Sequence, residues 1–542
     1  MRCSNLRVYP ASAGLGLASI STTAFHYSAS TTSAKKSFIC APSQIMPAGA
    51  EDESVLNTIE HDTPEDGQKQ AKASPPTWQT EYTLICRNSI PLVGTYLLQY
   101  FYQLVIVLVA SRLSTEELAG VSLGITTSNI VGYAIFEGMA SALDTLCSQA
   151  YGANNPQLVG LHTIRYTIFI QIVAVPIGLL WVFSPQILGW IVPSQRLAEN
   201  AGAFLRYSLI GVPGYATFEA GKRFMQAQNN FTAGLVVLLV CLPINLFLNW
   251  LLVLHLQLGI AGAALAAALT NSVRPFLLAA YAVCLSSDTL KCWPSSDQAR
   301  LVFSNWAPMV RLAVPSALMT LNEWGAFEVI TFSTSYVGTA QLAAQTFLAT
   351  GTIVLWHIPY SVSIACSTRI GQLVGAGAVD AARRVAGWHM LLFVILGWLN
   401  AGLMLGLVQI IVNFLTIDET VRLAVVDAAS SVSVFELFDT VVTGAHGIIR
   451  GVGWQAIGGW ITVGISDCFG VPLAIGLELG GPNLGIKGLW IAMTIAAAMI
   501  AVTESLVIKV RSWDRLVDEA KARGSVIDSE VTPLLGAPHI DR

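Results

Sequence analysis

From residue 82 onward, apolar residues come in long runs separated at regular intervals by short polar stretches. The runs lie near 84–110, 119–146, 163–184, 202–225, 231–255, 259–284, 307–332, 342–366, 386–416, 424–449, 456–480 and 484–508. Each holds roughly 20 residues or more, enough for an α-helix to cross the ~30 Å hydrocarbon core of a bilayer. Several contain Gly or Pro, which membrane helices tolerate when neighbouring groups satisfy the freed backbone. The pattern predicts an all-α polytopic membrane protein with twelve transmembrane helices.

The ends of the chain do not share this pattern. Residues 1–81 are rich in Ser, Thr, Pro and Gln and read as a disordered tail. The spans then divide into an N-terminal six-helix lobe at 82–285, a linker at 286–306 and a C-terminal six-helix lobe at 307–508. A C-terminal tail fills 509–542.

Charge agrees with a chain dissolved in lipid. Lys plus Arg number 29 and Asp plus Glu 33 in 542 residues, 11% against about a quarter in a soluble domain. The two tails carry a large share of these, leaving one charge in about twelve residues between 82 and 508. Mean hydropathy is +0.61. A soluble protein needs a charged surface to stay dispersed, so a soluble enzyme is excluded. Net charge is −4, which leaves no basic footprint for nucleic acid.

Twelve spans place both termini on one side. Positive residues favour the cytoplasmic side of a membrane protein. Thirteen lie on the side of the termini, among them Arg87, Lys222, Arg223, Arg369 and Arg450. Five lie on the other: Arg112, Arg196, Arg206, Arg422 and Lys487. Both ends and both tails are therefore expected in the cytoplasm. Residues 1–50 lack Asp and Glu and read either as a targeting segment or as a solvated tail or extended gene model. E-V-T-P-L-L at 530–535 fits an acidic dileucine sorting signal. The expected address is the vacuolar or plasma membrane.

The chain also repeats itself. Pro91 matches Pro315, Leu118-Ala119 matches Leu342-Ala343, and Gly152-Ala153 matches Gly375-Ala376. Gln228 matches Gln455, and Gly259-Ile260-x-Gly262 matches Gly485-Ile486-x-Gly488. Five matches in order, at a nearly constant offset, argue for two tandem six-helix halves. Such halves lie parallel about an axis along the membrane normal and suit alternating access around a central cleft.

A carboxylate at bilayer depth costs about 2.5–3.5 kcal/mol on insertion scales, so each one needs a reason. Among the acids inside spans, the candidates are Glu137, Asp144, Glu219, Glu323, Glu328, Glu436, Asp439 and Asp467. Burial and a neighbouring carboxylate both favour the protonated form of an acid. An acid that gains and loses a proton as access alternates is the chemistry of proton-coupled export. Ionised, the same acid attracts a cationic substrate. Glu323 and Glu328 are five apart on the seventh span, about 140° of helix rotation, so they need not face one cavity. Glu436 and Asp439 are three apart on the tenth span and share a face. The competing role for each acid is structural: capping a helix, pairing with an arginine or bonding a broken backbone. Asp144 and Glu219 fit that role, close to Lys222 and Arg223. Arg274, inside the sixth span, needs a partner, which one of these acids would supply. Trp324, Trp356 and Trp454 offer flat faces to an organic cation, although packing is the commoner use of such rings.

No pair of the nine cysteines has CxxC spacing, and no metal-spaced His pair, P-loop or GxGxxG fingerprint is present. Neither an enzyme nor an ATP-driven pump is expected. No metal or cofactor is expected beyond a coupling ion, H⁺ or Na⁺.

Five segments give the chain a likeness. They are S-A-L-D-T-L-C-S-Q-A-Y-G-A (141–153), P-x-x-x-x-F-E with R-F-M-Q-A-Q (213–228), P-S-A-L-M-T-L-N-E-W-G-A-F-E (315–328), S-T-R-I-G-Q-L-V-G-A-G (367–377) and I-I-R-G-V-G-W-Q-A-I-G (448–458). In these the chain resembles the multidrug and toxic compound extrusion (MATE) transporters, in their eukaryotic branch, over about residues 85–508. The resemblance implies two six-helix lobes and export of organic cations or other xenobiotics in exchange for H⁺ or Na⁺. It implies that Glu323 is a proton and substrate site, with Glu328 and Asp439 at further acidic positions of the family. Gly325 stands where the family usually has a second Trp, which widens the cavity or changes the substrate range. Ser148 replaces a common Gly.

The expected partners are small organic cations and the lipid bilayer, with the chain acting as a monomer and no nucleic acid involved. The competing function is a flippase for lipid-linked precursors. Such a protein favours a cationic cavity for phosphates, whereas the charges within these spans are mostly acidic.

Overall fold

A computed structural model describes residues 76–520, apart from 193, 296–297, 415–417, 481–483 and 517. Residues 1–75 of the expected 1–81 tail, the targeting reading of 1–50 and the sorting signal at 530–535 lie outside the described residues. Among the described residues there is no strand.

Twelve membrane-spanning helices follow one another. In the first lobe α1 is Trp78–Ala110, α2 is Thr115–Gly152 and α3 is Pro156–Val182. α4 runs over 195–227 with a 3-10 turn at Leu209–Gly211, α5 is Thr232–His255 and α6 is Gly259–Cys284. In the second lobe α7 is Ala307–Thr334, α8 is Thr339–Gly375, α9 is Val379–Phe414 and α10 is Glu419–Val452. α11 is Gln455–Leu479 and α12 is Gly485–Val510. Local chemistry sets many of the ends. Ser114 and Glu117 form a reciprocal capping box at the start of α2. Pro156 stands at the first position of α3, where its missing N–H costs nothing.

Nine of these helices are long and apolar enough to cross a membrane on composition alone, among the described residues. The other three are α4, α7 and α10. They carry Glu219, Lys222 and Arg223, then Glu323 and Glu328, then Glu436 and Asp439. Each of these three holds more than one charged residue within its span. Large apolar side chains such as Ile90, Phe276, Trp460 and Val502 are exposed on the outer faces, as lipid-facing residues must be.

The helices overrun the hydropathic spans at one end. α2 extends to Gly152, α8 to Gly375 and α10 to Val452. α1 begins at Trp78, inside the stretch expected to be tail, because Glu81 is buried there against Arg369. The two ends of the helical body lie on one side: Tyr82 donates to the Trp388 carbonyl at 2.9 Å, and Arg383 donates to the Lys509 carbonyl at 3.3 Å. The linker is not loose. It forms 3-10 turns at Ser287–Cys292 and Gln298–Phe303, and Arg165 of α3 donates to the Leu301 carbonyl at 2.8 Å. Lys222 and Arg223, placed on the side of the termini by the charge count, are buried, as is Arg165.

The internal repeat is visible in the backbone. Gly259 and Gly485, which open α6 and α12, both have φ +57°, a left-handed conformation that glycine adopts without steric cost. Gln228 and Gln455 are not equivalent. Gln228 caps the end of α4, whereas Gln455 is the first residue of α11. The lobes meet on the side of the chain ends, where α2 crosses α8. A Cβ on Gly152 would overlap the Gln372 carbonyl, and a Cβ on Gly375 would overlap the Gln149 carbonyl. Gln149 donates to the Gly451 carbonyl at 3.1 Å and Gln372 to the Ala227 carbonyl at 3.0 Å, each across the lobe boundary. Ser148 lies in this crossing, with its hydroxyl where a Cβ on Gly371 would sit.

Candidate functional site: a cavity between the lobes

A cavity of ≈320 Å³ lies between the lobes and is lined from both. Its floor is a cross-lobe contact in which the Tyr360 hydroxyl donates to Glu137 Oε1 at 2.9 Å. Glu137 and Tyr360 each precede the glycine of the α2–α8 crossing by fifteen residues. At 1.5 Å per residue the floor is roughly 22 Å from the seal, near mid-bilayer. Trp356 stacks on Tyr360 at 4.3 Å. Arg450 lies 5.6 Å from the Tyr360 ring centre and donates to Ser363 Oγ at 2.7 Å. Beneath, a water-sized space of ≈10 Å³ touches Glu137, Glu323, His446 and Arg450.

The wall supplied by the second lobe is acidic and holds a chain of three side chains. Glu323 Oε1 is 2.8 Å from His446 Nδ1, and His446 Nε2 is 3.1 Å from Glu504 Oε1. Thr462 Oγ1 lies 3.3 Å from the same Nε2. Glu504 is fully enclosed, while Glu323 keeps a face on the cavity. Neither ionised carboxylate donates, and a neutral imidazole donates from only one nitrogen. Both contacts exist together only when two protons are shared along the chain, as an imidazolium or with one carboxyl protonated. Losing one proton must break or lengthen one contact. This geometry couples a proton count to a side-chain position on the cavity wall.

The wall from the first lobe is built of amides and aromatic rings around Arg274. Gln103 donates to Asn129 Oδ1 at 3.2 Å, and Tyr133 stands 4.5 Å from Tyr215, centre to centre. A π-helical turn at Asn129–Tyr133 interrupts α2 at this point. Single π turns of this kind recur at functional sites.

The sequence profile of the MatE family matches residues 91–251 and again 315–475. The chain belongs to the MATE family of transporters. The two MATE matches stand 224 residues apart, the offset that also relates Ala227 to Gly451, the carbonyls bonded by Gln372 and Gln149. An uncharacterised transporter of Schizosaccharomyces pombe is 33% identical over 450 residues, covering 83% of this chain and 84% of that protein. One of Saccharomyces cerevisiae is 33% identical over 457 residues, 84% of this chain but only 65% of that longer protein. Protein DETOXIFICATION 15 of Arabidopsis thaliana is 28% identical over 80% of this chain and 88% of its own length. The crystal structure of the eukaryotic MATE transporter AtDTX14 superposes with a TM-score of 0.77 at 26% identity, covering 82% of this chain and 99% of that one. The MATE fold accounts for the twelve helices and two lobes, and MATE proteins are transporters rather than enzymes.

Within this MATE cavity the acids singled out by sequence separate. Glu323, Trp324 and Asp439 line the cavity together with His446. Glu328 also lines it but is exposed. Glu436 does not share Asp439's face of the cavity. It is buried against Asn400 of α9, whose Nδ2 lies 3.5 Å from Glu436 Oε2. Three residues leave a 60° difference around the helix, and α10 sits between the cavity and α9, so that angle moves the side chain from wall to interface. Asp144 pairs with Arg223 at 3.4 Å and Glu219 with Lys222 at 2.8 Å, all four buried. Arg274 therefore takes neither acid. It lies instead over Tyr102, 4.8 Å from the ring centre, with Phe218 at 5.8 Å. Trp454 is outside the cavity, packed on Trp513 at 5.8 Å under Arg511. Asp467 is exposed in the π turn of α11. Beside Gly325, a Cβ would meet nothing within 4 Å, so the missing aromatic leaves open space.

Sequence reasoning did not single out His446 or Glu504. His446 carried a signal: it follows Asp439 by seven residues, two turns along one helix face. Glu504 stands close to the end of its span, where an acid reads as a cap. Among the described residues no group of three His, Cys, Asp or Glu side chains is spaced to hold a metal.

Proposed function

We propose that this chain is a secondary active antiporter that exports small organic cations and other xenobiotics in exchange for H⁺. The observation that carries the reading is the Glu323–His446–Glu504 chain, with one end on the cavity and the other enclosed. An ionised Glu323, with Asp439 beside it and the Trp324 ring adjacent, makes a site for a flat cation. A proton arriving at Glu323 removes that charge and weakens cation binding. Removing the proton restores it. Proton and substrate thus compete for one position, which is the thermodynamic requirement of exchange.

The lobe contacts supply the other half of the mechanism. The seal lies on the side of the chain ends, at the α2–α8 crossing and the Glu81–Arg369 pair, where Arg369 Nε donates to Glu81 Oε2 at 3.0 Å. With both termini in the cytoplasm, this arrangement faces outward, toward the exterior or the vacuolar lumen. Rocking one lobe against the other, as in transporters built from parallel repeats, breaks these contacts and exposes the cavity to the cytoplasm.

Purified protein in liposomes tests the proposal. Efflux of a fluorescent organic cation is measured under an imposed H⁺ gradient and, separately, an imposed Na⁺ gradient. The expected result is transport with the first and none with the second. Equal transport with Na⁺ alone, or proton-driven transport by Glu323→Gln at the normal rate, defeats the reading.

A further inference from the structure

Arg274 is a buried cation without an anion. Its residue is 5% exposed, its Nε has no hydrogen-bond partner, and no carboxylate lies within ion-pair distance among the described residues. Asp144 and Glu219 are engaged with Arg223 and Lys222. An uncompensated buried charge is expensive, and stacking on Tyr102 and Phe218 covers only the guanidinium's faces. Tyr102 is held in turn by its hydroxyl, which donates to the Leu238 carbonyl at 2.6 Å. A guanidinium stacked in this way keeps its N–H edge for a planar anion. Arg274 lines the cavity together with Asn271, one helical turn earlier, and Asn129 and Tyr133 of the π turn. The acidic wall of Glu323, Glu328 and Asp439 belongs to the other lobe, and the one first-lobe carboxylate among the lining residues, Glu137, is engaged at the floor by Tyr360.

The cavity is therefore bipolar, with a cation site on one lobe and an unfilled anion site on the other. We infer that Arg274 is the anion-recognising subsite of the substrate cavity. The substrates that fit both walls are amphoteric organic molecules, carrying an amine or other cation at one end and a carboxylate or similar anionic group at the other. This rests on the export reading and specifies its substrate class. Chloride can also occupy a guanidinium edge, and the anion present in the buffer distinguishes the two sources.

The test compares rhodamine B, a cationic dye with a free carboxylate, and its ethyl ester, which keeps the cation alone. Binding to the full-length protein in detergent is followed by fluorescence anisotropy in sodium gluconate at pH 7.5. A preference for the acid of about ten-fold or more is expected, since charge-assisted hydrogen bonds are the strong ones. Arg274→Gln should remove that preference while still binding the ester at least as tightly as the unsubstituted protein does, which also certifies the fold. Arg274→Lys should retain part of it. Equal affinity for acid and ester, binding of neither, or an equal loss of both in Arg274→Gln overturns the inference. A preference erased when chloride replaces gluconate at constant ionic strength assigns the site to an inorganic anion and overturns it too. Binding is read without a gradient, so failure of proton-driven efflux with the preference intact defeats the antiport reading alone.

Discussion

Gly152 of the first lobe and Gln372 of the second meet where no side chain fits between them: a Cβ on Gly152 would overlap the Gln372 carbonyl oxygen. Gly375 and Gln149 repeat the relation with the lobes exchanged. The amides of the same two glutamines then bond across the boundary to α10 and α4. The seal is thus made twice, once by each half of the repeat, and it uses backbone contact that only glycine permits. Substituting Val at Gly152 should prevent closure without unfolding either lobe. Transport should fall more than ten-fold. A cysteine placed at Thr320, which lines the small space beneath the cavity floor, should become reactive to a thiol reagent added from the side of the chain ends. Unchanged labelling with full transport would show that the crossing is not the seal.

The shared site also predicts a sign for pH. Protonation of Glu323 removes the charge that attracts the cation, so acidification should weaken cation binding. One displaced proton allows up to about a ten-fold change in Kd per pH unit. Glu323→Gln should bind weakly at every pH, with a flat profile. Dye affinity measured over a pH series checks this, and a wild-type affinity that rises on acidification contradicts it.

Glu504 is expected to act through His446 and not through the substrate. In Glu504→Gln, the imidazole keeps its 2.8 Å contact to Glu323 but loses its second carboxylate. Cation affinity at pH 8 should stay within about three-fold, since Glu504 lies outside the cavity lining. The number of protons moved per cation should drop. Parallel measurement of proton uptake and dye efflux from one liposome preparation gives that ratio. A collapse of cation affinity in Glu504→Gln, with the stoichiometry intact, would assign the residue a structural role.

The parts of this architecture visible in sequence were those governed by one local rule. Spans follow from hydropathy, and Glu323 and Asp439 stood out because an acid inside a span is costly. The rest depended on contacts between distant segments. His446 gains its meaning from Glu504, 58 residues later on another helix. Glu436 and Asp439 look alike in the chain, and only the position of α9 sends one inward and the other to an interface. The pairing of Gln228 with Gln455 failed for the opposite reason: an identical letter near a constant offset hid a helix end and a helix start. Arg274 shows the same limit, because spacing cannot reveal that both nearby acids are already taken.

Those two occupied acids make the last prediction. Asp144 and Arg223 are both buried, 3.4 Å apart, in the core of the first lobe. Removing one partner leaves the other charge enclosed and unpaired, which typically costs about 3–5 kcal/mol. Asp144→Leu and Arg223→Met should each lower thermal stability in detergent markedly. The double substitution should recover most of that loss, because no lone charge remains and apolar side chains of similar size fill the space. Arg223 also contacts Gln226 Oε1 at 3.3 Å, so recovery should be incomplete. Losses that simply add in the double variant would mean that the two residues do not act as a pair.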